Sequence, residues 1–281
     1  MTPTSIRSRR GFTLAELLIV MVIMGIVGMA MTRLLLNSQR ITRRQSQQVT
    51  LQSNLRAGLA LMPTELREIN VDASGSDILA MAQDSIRYRA MRNFGLACSV
   101  TATQVVMRGT NSFGYRAIAA NQDSLLLFVE NDDSRMSDDA WIPYRVTGVA
   151  GGTCPDGAAA TTLTVSGAAN IPVANVLLEA PIRSFEVMTL KLYAADGRSW
   201  LGARVGTAAA IEPVLGPLHA DSGLVMTYLA ADGSVTATPA NVRSVEIRMR
   251  GETQGPVSSG YDELAIHEDS LTARIRLRNA P

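Results

Sequence analysis

Histidine and cysteine are scarce in this chain, with two of each in 281 residues. His219 and His267 stand far apart, and neither has a Cys or a second His at ligand spacing. The cysteines, Cys98 and Cys154, lack the C-x-x-C spacing that redox or metal chemistry would suggest. No serine sits in a G-x-S-x-G elbow, and neither a phosphate-binding loop nor a dinucleotide fingerprint occurs. The acidic run Glu130-Asn131-Asp132-Asp133-Ser134-Arg135-Met136-Ser137-Asp138-Asp139 lacks the ligand order of a calcium loop and is interrupted by Arg135. It reads as a solvated turn. The sequence therefore predicts no catalytic residue, no resident metal and no cofactor, and the expectation is that the protein is not an enzyme. Charge is also sparse, at 18% of residues with a formal net of +1, so the whole molecule makes no electrostatic case for nucleic acid.

Against these absences stands one long apolar run, Gly11 to Met31, GFTLAELLIVMVIMGIVGMAM. From Phe12 to Met31 a helix rising about 1.5 Å per residue covers about 30 Å, the hydrocarbon thickness of a bilayer. Glu16 interrupts the run. A carboxylate inside a membrane helix costs roughly 2.5–3.5 kcal/mol on insertion scales and marks a function with a nearby partner. Thr13-x-x-Glu16 also fits a capping box, in which Glu16 satisfies backbone donors at the helix start. A secretory signal would have an apolar core of only about 7–15 residues and a small-residue cleavage site. A plain membrane anchor would account for the length but for neither Glu16 nor the Gly-Phe junction.

The junction Arg9-Arg10-Gly11-Phe12, with Glu16 four residues beyond the Phe, resembles the class III signal of type IV pilins and type II secretion pseudopilins. The resemblance implies cleavage between Gly11 and Phe12 by a prepilin peptidase, N-methylation of Phe12, and use of Glu16 in packing subunits. In a helical stack the Phe12 amine of one subunit meets the Glu16 carboxylate of a neighbour and sets the axial register. Burying such a pair gains little net energy, so it acts as a registry device. Removing Arg7, Arg9 and Arg10 with the leader would reduce the 26 basic residues to 23, against 25 acidic ones.

Arg33, Arg40, Arg43 and Arg44 follow the span closely, so the positive-inside rule does not decide topology. The resemblance implies a cytoplasmic leader and a periplasmic head. In that compartment Cys98 and Cys154 are expected to form a disulfide, which would contribute about 4 kcal/mol in the chain-entropy model. Two free buried thiols are the alternative.

Beyond the span, Leu51, Leu55, Leu59, Met62, Leu66 and Ile69 recur at helical spacing and predict an amphipathic continuation, kinked at Pro63. From about Val71 the pattern turns to short alternating runs between Gly, Asn and Asp, which predict antiparallel strands. These are expected at 85–92, 96–106, 124–130, 142–149, 161–165, 182–193, 224–229, 242–250 and 271–277. Asp196-Gly197 and Asp232-Gly233 each follow such a run and predict hairpin turns.

The expected fold is α+β, with a long amino-terminal helix against an antiparallel sheet. Its expected parts are a leader (1–11), a transmembrane helix (12–36), an amphipathic continuation (37–70) and a β-rich head (71–281). The Gly/Ala-rich stretch 148–162 is expected to be a linker between two halves of the head, or a long loop. The resemblance implies a minor pilin-like subunit that waits in the inner membrane and is extracted by the assembly platform into a filament with other pilins or pseudopilins. A large, tip-forming pseudopilin is the alternative within the resemblance. A membrane-anchored binding module for adhesion or DNA uptake is the alternative outside it, with Arg243, Arg248, Arg250, Arg274, Arg276 and Arg278 as its basic sheet face.

Overall fold

The computed structural model describes residues 13–72, 75–109, 113–132, 134–135, 138–206, 210–258 and 264–278. It is an α+β protein with one long helix and a large antiparallel sheet. The helix α1 (Leu14–Arg67) is followed by the short strands β1 (Val71–Asp72), β2 (Gly75–Ser76) and β3 (Ile78–Met81). Next come β4 (Ser85–Val100), β5 (Gln104–Arg108), β6 (Phe113–Gly114), β7 (Ser124–Val129), β8 (Ala140–Thr153) and β9 (Ala159–Ser166). Then follow β10 (Pro181–Ala195), β11 (Arg198–Val205), β12 (Glu212–Leu218), β13 (Leu224–Leu229) and β14 (Ser244–Glu252). The chain closes with β15 (Val257–Ser258), β16 (Leu264–Ala265) and β17 (Glu268–Arg276).

The chain divides into two compact units. One comprises the described residues up to Thr50 together with Thr253–His267. Its helical segment is exposed at every residue from Thr13 to Arg43. The other part of this unit pairs β15 with β16 through Val257↔Ala265 and Ser258↔Leu264. A side-chain contact between Gln48 Nε2 and His267 Nε2, at 3.2 Å, also lies within this unit.

The second unit holds Leu51–Glu252 and the segment from Glu268 onward. Here the helical stripe meets its partner surface. Leu51, Leu55, Met62, Leu66 and Ile69 are buried, and Leu59 packs beside them with Val245, Ile247 and Met249 of β14 and Ile275 of β17. The helix runs through Pro63, and the stripe keeps its register across it. The proline removes one backbone donor, but burial on both sides of it holds the helical path. Contact with the sheet is close: a Cβ on Gly251 would lie 2.6 Å from Leu51 Cδ1.

A second core lies within the same unit. It gathers Val105, Met107, Leu125, Leu127, Tyr144, Val146, Leu163 and Ile182. The pairings around it run β4–β5–β9–β8–β7–β10 and return to β4, all antiparallel. Six strands thus form a closed cycle around an apolar filling, an arrangement that leaves no free edge. Strands β4 and β10, 16 and 15 residues long, serve both cores. Their carboxyl-terminal and amino-terminal halves respectively line the closed cycle, and their other halves lie under the helix. A register shift between Ser184 and Phe185 marks the change.

Several expectations need correction. The stretch 148–162 is strand on both sides of a short turn at 154–158, and not a linker or a long loop. It contains the ends of β8 and β9, paired from Gly148↔Thr164 to Thr153↔Ala159. Its glycines permit this approach, since a Cβ on Gly152 would stand 2.3 Å from Thr162 Oγ1. The two halves of the sheet are joined by β4 and β10. The run 96–106 is also not one strand, because Gln104 N–H donates to Thr101 Oγ1 and turns the chain between β4 and β5. Strand β11 is the second arm of the hairpin that Asp196-Gly197 predicts, and no run in the sequence predicts β12.

The two Asp-Gly turns differ. Asp196 and Gly197 both adopt positive φ, 53° and 71°, and Ala195 pairs with Arg198 across them, as a type I′ hairpin requires. At Asp232-Gly233 only Gly233 has positive φ. There Asp232 Oδ1 accepts from Ser234 N–H at 2.9 Å, and Leu229 and Val235 form a single bridge.

Candidate functional site

The first turn of α1 is held by a reciprocal pair. Thr13 N–H donates to Glu16 Oε2 at 3.0 Å, and Glu16 N–H donates to Thr13 Oγ1 at 3.3 Å. This is a capping box, which satisfies two donors that a helix start leaves open. Gly11 and Phe12 lie outside the described residues, so the cleavage junction and the Phe12 amine have no structural description. Beyond the cap, every side chain from Leu14 to Leu36 is exposed, including Leu17, Ile19, Ile23, Ile26 and Leu35. A helix that is apolar all round and covered by nothing among the described residues requires lipid or other helices around it.

In the second unit Cys98 of β4 and Cys154, just after β8, are joined by a disulfide with Cα atoms 5.6 Å apart. Both residues are buried. The bond fastens the tip of the β8–β9 hairpin to β4.

A charged network occupies the middle of both long strands. Glu186 of β10 accepts from Arg92 Nε of β4, from Arg116 Nη2 at 3.0 Å and from Gln122 Nε2 at 3.1 Å. Arg116 also grips Asp123 through both terminal nitrogens, at 2.7 and 2.6 Å, and Ala119 N–H donates to the same carboxylate. From α1, Glu65 accepts from Arg92 Nη1 and from the Tyr88 hydroxyl, each at 3.3 Å. Burial pushes the Glu186 carboxyl up, but hydrogen bonds from Arg92 and Gln122 and the two guanidinium charges outweigh it and hold the group below its usual range. Burial and the adjacent Glu65 carboxylate push the Tyr88 hydroxyl well above its ordinary value. Every carboxylate here faces a guanidinium, which suits the network to fixing strands in place. Its segments, around Glu65, Arg92, Arg116–Asp123 and Glu186, lie apart in sequence, and no local pattern announces them.

The acidic run does little that a turn would not. Asp132 Oδ1 accepts from the Ser134 N–H and hydroxyl, and Arg135 lies 3.8 Å from Asp132. Asp133, Met136 and Ser137 lie outside the described residues. A different group, His219, Glu252 and Glu268, brings potential ligand atoms within 4.8 Å of one another. No local sequence pattern points to this group, because it is the β14–β17 register that places Glu252 opposite Glu268. The Arg250 guanidinium already sits on Glu268, and His219 Nδ1 accepts from Asp221 N–H at 3.3 Å. A cation entering this group would have to displace Arg250 from its carboxylate.

The basic sheet face is interleaved with acids. Glu246 stands opposite Arg274 in the β14–β17 register. Arg250 pairs with Glu268, and Arg278 with Glu68 at 3.5 Å. Arg274 Nε donates to Ser244 Oγ, and Arg243 Nη1 donates to the carbonyls of Ala240 and Val242. Of the six arginines, Arg248 and Arg276 remain as unpaired cations among the described residues.

The structure thus defines an α+β protein whose amino-terminal helix is long and apolar enough to cross a membrane, capped at its start by a carboxylate. Residues 6–32 match the family model described as the prokaryotic N-terminal methylation motif. Over this segment the chain is similar to type IV pilins and pseudopilins, and the motif implies processing by prepilin peptidase and assembly with other pilins. No curated protein and no solved structure matches the chain.

Proposed function

We propose that this protein is a minor pilin-like structural subunit of a type IV pilus and has no enzymatic activity of its own. In this reading a prepilin peptidase cuts between Gly11 and Phe12 and methylates the Phe12 amine. The helix from Leu14 to Leu36 anchors the subunit in the inner membrane with the sheet unit in the periplasm. The assembly machinery then extracts it into the filament, where Glu16 faces the Phe12 amine of a neighbour. The observation that carries the reading is the methylation motif on a helix whose apolar side chains are all exposed from Leu14 to Leu36. The second unit supports a minor position. Two cores and a closed six-stranded cycle make a bulky subunit, which packs poorly at every position of a thin filament.

The same motif fits a pseudopilin at the tip of a secretion pseudopilus, and both readings use the helix in the same way. Recovery of the protein in pili sheared from cells, at a small fraction of the main subunit, supports the pilus reading. Absence from sheared pili, with loss of protein secretion on deletion, assigns it to the pseudopilus.

A further inference from the structure

Immediately after the apolar span, α1 carries Arg33, Arg40, Arg43 and Arg44. Spacings of 7 and 4 place Arg33, Arg40 and Arg44 on one side of the helix, with Arg43 adjoining. Arg40, Arg43, Arg44 and Gln47 form one wall of a groove of about 560 Å³. The other wall is formed by Gln254, Gly255, Pro256, Val257, Ser258 and Leu264. Arg43 and Arg44 have no ion-pair partner among the described residues. On the same segment Leu264 and Ile266 are exposed, at 66% and 46%. Unpaired guanidiniums beside exposed apolar side chains match the boundary between phosphate headgroups and acyl chains.

Position along the helix agrees. From Leu14 to Leu36 the helix rises about 33 Å, slightly more than the hydrocarbon core, and Arg40 to Arg44 lie about 6–12 Å further on. That is headgroup depth. In the proposed orientation these arginines lie on the translocated side of the membrane, where the positive-inside rule disfavours them. A ligand at the membrane surface gives them a purpose.

We propose that this groove binds the phosphate of an anionic phospholipid, holding the subunit at a fixed depth in the bilayer until it is extracted. Arg43 and Arg44 grip the phosphate oxygens, Gln254 borders the headgroup, and Leu264 meets the upper acyl chain. The inference rests on the membrane-inserted reading of α1.

The test uses the full chain in lipid nanodiscs containing equal phosphatidylcholine and phosphatidylglycerol, with retained lipids counted by native mass spectrometry. Wild type is expected to keep phosphatidylglycerol above its bulk proportion. Arg43→Gln and Arg44→Gln should each lower that preference roughly fivefold, the effect of one arginine near an anionic surface. Arg248→Gln, on the sheet, should leave it unchanged. Retention at bulk proportion, or an undiminished preference in the double variant, overturns the inference. Displacement of the lipid by millimolar inorganic phosphate also overturns it, because the groove would then be a site for free anions. Alkaline extraction from pure phosphatidylcholine liposomes separates this from the underlying reading. A chain that stays embedded there but shows no phosphatidylglycerol preference refutes only the headgroup site, whereas a chain washed out of both lipids refutes membrane insertion.

Discussion

Thr13 and Glu16 close a reciprocal capping box at the start of α1, with Glu16 Oε2 taking the Thr13 N–H at 3.0 Å. The carboxylate proposed to pair with a neighbouring subunit is thus held within its own chain by the helix start. Glu16→Gln preserves the hydrogen-bonding shape of the cap and removes the charge, whereas Glu16→Ala removes both. Membrane insertion and leader cleavage are expected to survive both changes, since each makes the span more apolar. Incorporation into sheared filaments is expected to fail in both, because a buried amine without its counter-ion costs about 3–5 kcal/mol. Normal incorporation of the Gln variant would reduce Glu16 to a helix cap.

The disulfide between Cys98 and Cys154 closes a loop with a sequence separation of 56. Replacing both cysteines with serine should lower stability by about 4 kcal/mol in the entropy model. The loss should concentrate at the β8–β9 tip that the bond fastens. Non-reducing peptide mapping should recover a single linked peptide pair, and urea unfolding of the double variant should show the shifted midpoint. Two alkylatable thiols in protein taken from the periplasmic face would contradict the bond.

Because β4 and β10 run through both cores, the second unit should unfold in one step. Trp141 on β8 reports on the closed cycle, and Trp200 on β11 reports on the sheet beneath the helix. Single-tryptophan variants, Trp141→Phe and Trp200→Phe, should give coincident urea transitions for the two probes. Leu55→Ala and Leu127→Ala, one in each core, should each cost about 2–5 kcal/mol and move both probes together. Separated transitions would mean the cores are independent domains.

Acid sensitivity should trace to the Arg92–Glu186 network. The Glu186 carboxyl is held below its ordinary value in the folded protein. Its contribution is therefore present above the unfolded-state value of about 4.3 and is lost as pH falls through the folded one. Stability of the full chain in detergent should fall as pH drops below about 4.3, and Glu186→Gln should flatten that fall. Arg92→Met should be far worse at neutral pH, costing about 3 kcal/mol, because Glu186 and Glu65 both lose a half-buried partner. An unchanged acid slope in the Gln variant would remove Glu186 from the account.

What the sequence discloses depends on how local the cause is. The helix continuation follows from a 3.6-residue period that Leu51, Leu55, Met62 and Leu66 repeat, and burial falls on those positions. The Asp196-Gly197 turn depends on two adjacent backbone conformations and is legible for the same reason. The closed cycle is not local, since alternation along β4 and β10 shows a buried face but not which strands lie beside it. Of the strands beside β4, β10 lies far along the chain. Glu186 illustrates the same limit, because its partners Arg92 and Arg116 stand 94 and 70 residues away. The 148–162 stretch misled because glycine signals a loop from composition alone, while here it lets strands pack closely.

The most direct test of the account is the mass of the amino-terminal peptide from protein recovered from membranes and from sheared filaments. The prepilin-like reading predicts a mature chain that begins at Phe12 and carries one methyl group on its amine, with residues 1–11 missing. Replacing Gly11 with a bulky residue should leave the full-length chain accumulating in the membrane. A recovered chain that retains its leader, or one cut near Ala30, would contradict the reading.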